Sequence, residues 1–119
     1  MHPKTILITG GSRGIGAACA KLAASHGYQV AINYANNDAA ATAVIEEITA
    51  NGGRAQAFKA DVTQDQEVTD LFKAVDTAFG SIDVLVNNAG ILETFNITEA
   101  DTARVMRTFE ANVFSLYYC

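Results

Sequence analysis

At 119 residues the chain has room for one domain and not for two. Its residues are 50% hydrophobic and 18% charged, the balance of a globular fold and far from disorder. A formal net charge of −5 counts against nucleic acid or an anionic membrane as the main partner, since both attract basic patches.

The N-terminus MHPKTILITG has neither the charged n-region nor the apolar h-region of a signal peptide, and no apolar run approaches a membrane span. A cytoplasmic protein is therefore expected. Lys4 to Thr9 reads as a continuous apolar strand ending at glycines. Ile15, Cys19, Leu22 and Ala23 then repeat at helix spacing until His26-Gly27, which places Cys19 as a small core residue. Tyr28 to Tyr34 is a second buried-type strand. Asp38 is expected to cap the next helix, whose stripe is Ala41, Val44, Ile45 and Ile48, closed by Asn51-Gly52-Gly53.

Ala55 to Ala60 makes a third strand. Thr63 and Gln66 have the spacing of a capping box, and Val68, Leu71, Phe72, Val75 and Phe79 line one helix face up to Gly80. Ile82 to Val86 is the fourth strand, and Thr98 or Asp101 opens the last helix. That helix is still repeating (Met106, Phe109, Val113, Leu116) at Cys119, without Gly, Asn or Pro to close it. Asn96-Ile97-Thr98 matches a glycosylation acceptor by chance, given the expected compartment.

Strand–helix alternation with near-continuous apolar strands implies an α/β fold with a parallel sheet covered on both faces. Right-handed crossovers favour a doubly wound, Rossmann-like sheet in strand order 3-2-1-4. Val84, Leu85 and Val86 would then form an exposed apolar edge unless another strand followed. Edge and unfinished helix together lead us to expect that 1–119 is a dinucleotide-binding domain incomplete at its C-terminus.

The most informative stretch is Thr9-Gly10-Gly11-Ser12-Arg13-Gly14-Ile15-Gly16, between the first strand and the first helix. Glycines allow a tight turn, close approach of backbone to a ligand, and helix–strand packing, while the helix N-terminus offers N–H groups to a phosphate. There is no Gly-Lys-Ser/Thr, which argues against a nucleoside triphosphate loop. No metal is expected.

This Thr-Gly-x-x-x-Gly-Ile-Gly spacing resembles the short-chain dehydrogenase/reductase family in its compact, non-extended branch. Asp61-Val62 after the third strand, Asn87-Asn88-Ala89-Gly90 after the fourth, and Asn112 in the last helix extend the resemblance along the whole chain. The resemblance implies that Gly10, Ser12, Gly14, Ile15 and Gly16 hold the adenosine ribose and pyrophosphate, and that Asp61 and Val62 contact adenine. It also implies that Asn88, Ala89 and Gly90 border the nicotinamide ribose. Asn87 braces neighbouring strands or is simply a structural amide.

NAD-binding folds place an acid at the end of the second strand, whereas NADP needs that acid absent and a cation nearby. Here the strand ends Asn33-Tyr34-Ala35-Asn36-Asn37 with no acid before Asp38, and Arg13 stands where family members reach the 2′-phosphate. NADP(H) is therefore favoured over NAD(H), with Asn33, Tyr34 and Asn36 counted among the contacts.

The resemblance further implies hydride transfer with a small carbonyl or alcohol substrate such as a ketone, sugar, steroid or oxoacyl thioester. A Ser and a Tyr-x-x-x-Lys pair would supply the polarising and proton-transfer groups, with Asn112 anchoring a water. Neither the pair nor the Ser has a match within 119 residues, and Tyr117 and Tyr118 read as packing residues. The chain alone is thus expected to be inactive, and the parent to form a dimer or tetramer. Residues 93–97 should line the cleft mouth. The competing reading is a dinucleotide-binding module without catalysis, a sensor or structural subunit. An extended-branch epimerase would show Thr-Gly-x-x-Gly-x-x-Gly, which Gly10, Gly14 and Gly16 do not fit.

Overall fold

A computed structural model describes residues 2–91, 94 and 96–119. Strands and helices alternate as β1 (Thr5–Ile8), α1 (Gly14–Ser25), β2 (Gln29–Tyr34), α2 (Asp38–Ala50), β3 (Arg54–Lys59), α3 (Asp65–Phe79) and β4 (Val84–Val86). A 3₁₀ turn (Ile97–Glu99) precedes α4 (Thr102–Phe109), a π-helical turn (Glu110–Phe114) and α5 (Ser115–Tyr118). The strands pair in parallel in the order β3-β2-β1-β4, the order the apolar runs imply.

Alternation along a strand sends successive side chains to opposite faces. Ile6, Ile8, Val30 and Ile32 therefore meet Ala17 and Ala20 of α1 and Ala41, Val44 and Ile48 of α2 on one side. Leu7 and Ala31 meet Val68, Leu71 and Val75 of α3 on the other. Each fully buried Val, Leu or Ile contributes about 1.5–3 kcal/mol at most, since unfolded chains already bury part of their apolar surface. β1, paired on both edges and covered on both faces, is buried at every position.

Helix α1 departs from the expected stripe. Gly16, Ala17 and Ala20 are buried, whereas Ile15 is 77% and Leu22 61% exposed; Cys19 and Ala23 pack at the margin of the core. The helix lies so close to the sheet that only its small-residue face fits: a Cβ at Gly16 would sit 2.4 Å from the Gly10 carbonyl oxygen.

Asn37, rather than Asp38, caps α2, accepting from the Ala40 N–H at 3.0 Å. Asp38 instead occupies the first turn, where its charge complements the helix dipole. The Thr63–Gln66 box does not form, because Asp61 Oδ1 takes both the N–H of Thr63 at 3.0 Å and its hydroxyl at 2.6 Å, leaving Gln64 at the N-cap. Of the two candidate starts for the last helix, Asp101 is the cap, accepting from the Arg104 N–H at 2.8 Å, while Thr98 falls in the 3₁₀ turn.

Met106, Phe109, Val113 and Leu116 stand exposed, and Ser115 is the buried residue of that stretch. Among the described residues no strand pairs the outer edge of β4. Asn87 at its end is exposed. Among the described residues no helix is long and apolar enough to cross a membrane.

Candidate functional site

The strand order reverses at β1, whose neighbours β2 and β4 carry the chain away in opposite directions. A crevice opens outside the carboxyl ends of the strands at such a point. A groove of about 450 Å³ lies there, walled by the loop after β1, the ends of β2 and β3, and the segment after β4.

The loop after β1 is shaped by its glycines. Gly10 and Gly14 have φ of +64° and +57°, conformations that side-chain-bearing residues adopt at a cost. A Cβ at Gly14 would meet nothing within 4 Å, so backbone faces open space where Gly14, Ile15, Ser12 and Arg13 border the groove. Arg13, at the N-cap of α1, makes no side-chain capping bond, whereas α2 and α4 are capped by Asn37 and Asp101. The first N–H groups of α1 are thus left for something other than its own cap.

Thr9, which opens the motif but has no assigned role there, ties the two halves of the floor together. The Thr9 hydroxyl accepts from the backbone N–H groups of Asn88 and Ala89, both at 3.0 Å, and donates to Val86 C=O at 3.4 Å. Thr9 is 2% exposed, and a buried hydroxyl in a strand end demands such partners; that demand was the available signal. Asn88 answers with its own amide, Nδ2 donating to the carbonyls of Thr9 and Gly10 at 3.1 Å each. Asn88, Ala89 and Gly90 line the far side of the groove. Gly16 does not line it; the missing Cβ there permits the packing of α1 against Gly10 and Asn88.

At the adenosine end expected from the resemblance, Tyr34, Asn36, Asp61 and Val62 all border the groove. Asn33 borders it too, but is buried with its amide turned to backbone: Nδ2 donates to Ala60 C=O at 3.0 Å and Oδ1 accepts from Gly10 N–H at 3.4 Å. One oxygen of Asp61 holds the Thr63 turn, and its N–H donates to Glu67 Oε1 at 3.0 Å. A hydrogen bond to Asp38 raises the Tyr34 phenol above its usual range, with partial burial and the Asp38 charge adding to the shift. Asp38 also lies 3.9 Å from Lys59 Nζ.

Asn112 sits in the π-helical turn rather than in regular α-helix. Its amide clips the backbone of Ile91 from both sides, Oδ1 accepting from the N–H at 2.7 Å and Nδ2 donating to the C=O at 2.8 Å. Gly90 is the neighbour that makes room, since a Cβ there would lie 2.7 Å from Asn112 Oδ1. Of the expected cleft-mouth residues, Glu93 and Phe95 lie outside the described residues. Among the described residues no group of His, Cys, Asp and Glu is arranged to hold a metal ion.

Comparison with known proteins bears on this groove. A family model for short chain dehydrogenases matches residues 4–119. L-rhamnose 1-dehydrogenase (NAD(P)(+)) of a Sphingomonas species is 47% identical, over 99% of this chain and 46% of its own. A dehydrogenase/reductase from Sinorhizobium meliloti superposes with a TM-score of 0.95 at 37% identity, over 99% of this chain and 47% of its own. A blue fluorescent protein from a metagenomic library, solved in complex with NADPH, superposes with a TM-score of 0.90 at 35% identity, over 98% of this chain and 48% of its own. The chain spans about half the length of the curated relatives it matches.

Proposed function

The chain belongs to the short-chain dehydrogenase family, and on that premise we propose that its groove holds NADP(H) for hydride exchange with a carbonyl or alcohol substrate. The observation that carries the reading is the floor itself. A glycine turn with open space over Gly14 and an uncapped helix start lies beside the Asn88–Gly90 segment, the two joined through Thr9. Such a floor fits a pyrophosphate on the N–H groups of α1 and a ribose over Ala89-Gly90.

When bound, the nicotinamide supplies or accepts the hydride. The chain's own residues position it. Ser12, Gly14 and Ile15 cradle the phosphates, Asp61 and Val62 take adenine, and Arg13 with Tyr34 and Asn36 takes the 2′-phosphate. No acid of β2 faces that phosphate, which supports NADP(H) over NAD(H). Asn112 holds the segment after β4 in place beside the reacting end.

In this reading the whole protein is a cytoplasmic homo-oligomer, residues 1–119 are its cofactor-binding part, and the proton-transfer groups lie elsewhere in it. The test is titration of the chain with NADPH and NADH, followed by fluorescence of the reduced nicotinamide. Saturable binding, tighter for NADPH, is expected, with no turnover by these 119 residues. Absence of any binding would overturn the proposal. Binding by the whole protein without turnover of any ketone, sugar or oxoacyl thioester would favour a non-catalytic module instead.

A further inference from the structure

We infer that Asn33 is a positioning residue: it sets the spacing between the glycine turn and the adenine wall without touching the ligand. The inference rests on the cofactor reading above and departs from the sequence expectation that Asn33 is itself a contact. Its side chain is 2% exposed. An amide offers two N–H donors and one carbonyl acceptor. One side is directed to the end of β3, with Nδ2 3.0 Å from Ala60 O and 3.5 Å from Phe58 O. The other faces the glycine turn, Oδ1 accepting from Gly10 N–H at 3.4 Å. The backbone adds a third tie, Gly11 N–H donating to Asn33 C=O at 2.9 Å.

These partners lie in two different walls of the groove. Gly10 and Gly11 begin the turn proposed to carry the pyrophosphate. Ala60 immediately precedes Asp61 and Val62, proposed to carry adenine. Gly11 is packed so flush on β2 that a Cβ there would be 2.7 Å from Ile32 Cβ, so the turn has no slack with which to compensate. A dinucleotide gains affinity by engaging both walls at once, and that gain depends on their separation. Removing the amide takes away the partner of the part-buried Gly10 N–H and of the buried Ala60 C=O, and frees the walls to drift.

The chain is therefore titrated with NADPH, which spans both walls, and with free adenine, which has neither ribose nor phosphate and reaches only the Asp61–Val62 wall. Asn33→Ala should weaken NADPH about tenfold while changing adenine by less than about twofold. Unchanged NADPH affinity, or equal weakening of both ligands as general loosening would give, overturns the inference and leaves the cofactor reading standing. Failure of the unaltered chain to bind NADPH removes the cofactor reading, and this inference with it. A measurement on the unaltered chain covers the case in which the variant does not fold: the Asn33 side-chain N–H₂ resonances should stay protected on saturation with NADPH, with no intermolecular NOE. An NOE from that amide to the nucleotide overturns the inference.

Discussion

Replacing Gly16 by Ala tests the packing of the site more sharply than any change at a ligand contact. The new Cβ would lie 2.4 Å from Gly10 O and 2.5 Å from Asn88 Nδ2, where ordinary contact begins at 3.4 Å. Neither neighbour is free to retreat, because Gly10 lies so close to Ala89 that a Cβ added to it would be 3.0 Å from Ala89 Cα, and Asn88 is bonded to two carbonyls. Relief means forfeiting the two Asn88 bonds, about 1 kcal/mol each, on top of about 1–3 kcal/mol for overpacking. The better helix propensity of Ala returns about 1 kcal/mol, so a net loss of about 2–4 kcal/mol is expected. At about 4 °C per kcal/mol for a domain of this size, Tm should fall by about 8–16 °C. Gly14→Ala is the control: its φ of +57° costs about 1–2 kcal/mol, but the Cβ meets nothing. Urea unfolding followed by far-ultraviolet circular dichroism compares the two variants directly. Gly14→Ala as damaging as Gly16→Ala, or Gly16→Ala within about 0.5 kcal/mol of the parent, would refute the packing argument.

Arg13→Ala should weaken NADPH by about 10–100-fold, the worth of a charge-assisted contact, and spare NADH; equal loss of both removes Arg13 from the 2′-phosphate. Asp61→Ala should weaken both cofactors alike and also cost about 1 kcal/mol through the lost Thr63 turn. Asp61→Asn keeps an acceptor for that turn, so stability should hold while cofactor affinity falls, and full affinity in this variant would return Asp61 to a purely local role. The raised Tyr34 pKa means that the folded state favours the neutral phenol: the stabilisation is present below the ordinary value of 10.0 and lost as pH rises through the raised one. Asp38→Asn should bring that ionisation down in a tyrosinate absorbance titration, and an unmoved curve would show that Asp38 is not its cause.

What could be read from the residues was whatever leaves a periodic or conformational mark. The buried strands, the helices between them and the order 3-2-1-4 follow from apolar runs and glycine stops. The face of α1 did not, because a helix pressed against a sheet buries its smallest residues, and hydrophobic periodicity weighs Ile15 and Leu22 above Gly16 and Ala20. Local polar competition decided the caps: Asn37 reached the α2 start one residue ahead of Asp38, and Asp61 claimed Thr63 before a capping box could form. The groove-lining residues were legible as residue types at motif positions. The direction of the Asn33 amide and the role of Thr9 were not, since both depend on strands far apart in sequence being brought side by side.

That separation governs when the floor of the groove can exist during folding. Thr9 meets Asn88 across 79 residues, whereas β1 meets β2 across only 24. Closing the longer loop is entropically dearer and intrinsically slower, so β1, β2 and β3 can assemble into a partial sheet before β4 arrives. A molecule arrested at that stage has its glycine turn but not its floor. A ligand of the groove thus binds only chains whose β4 has docked beside β1, and by mass action it draws late intermediates forward to the finished topology.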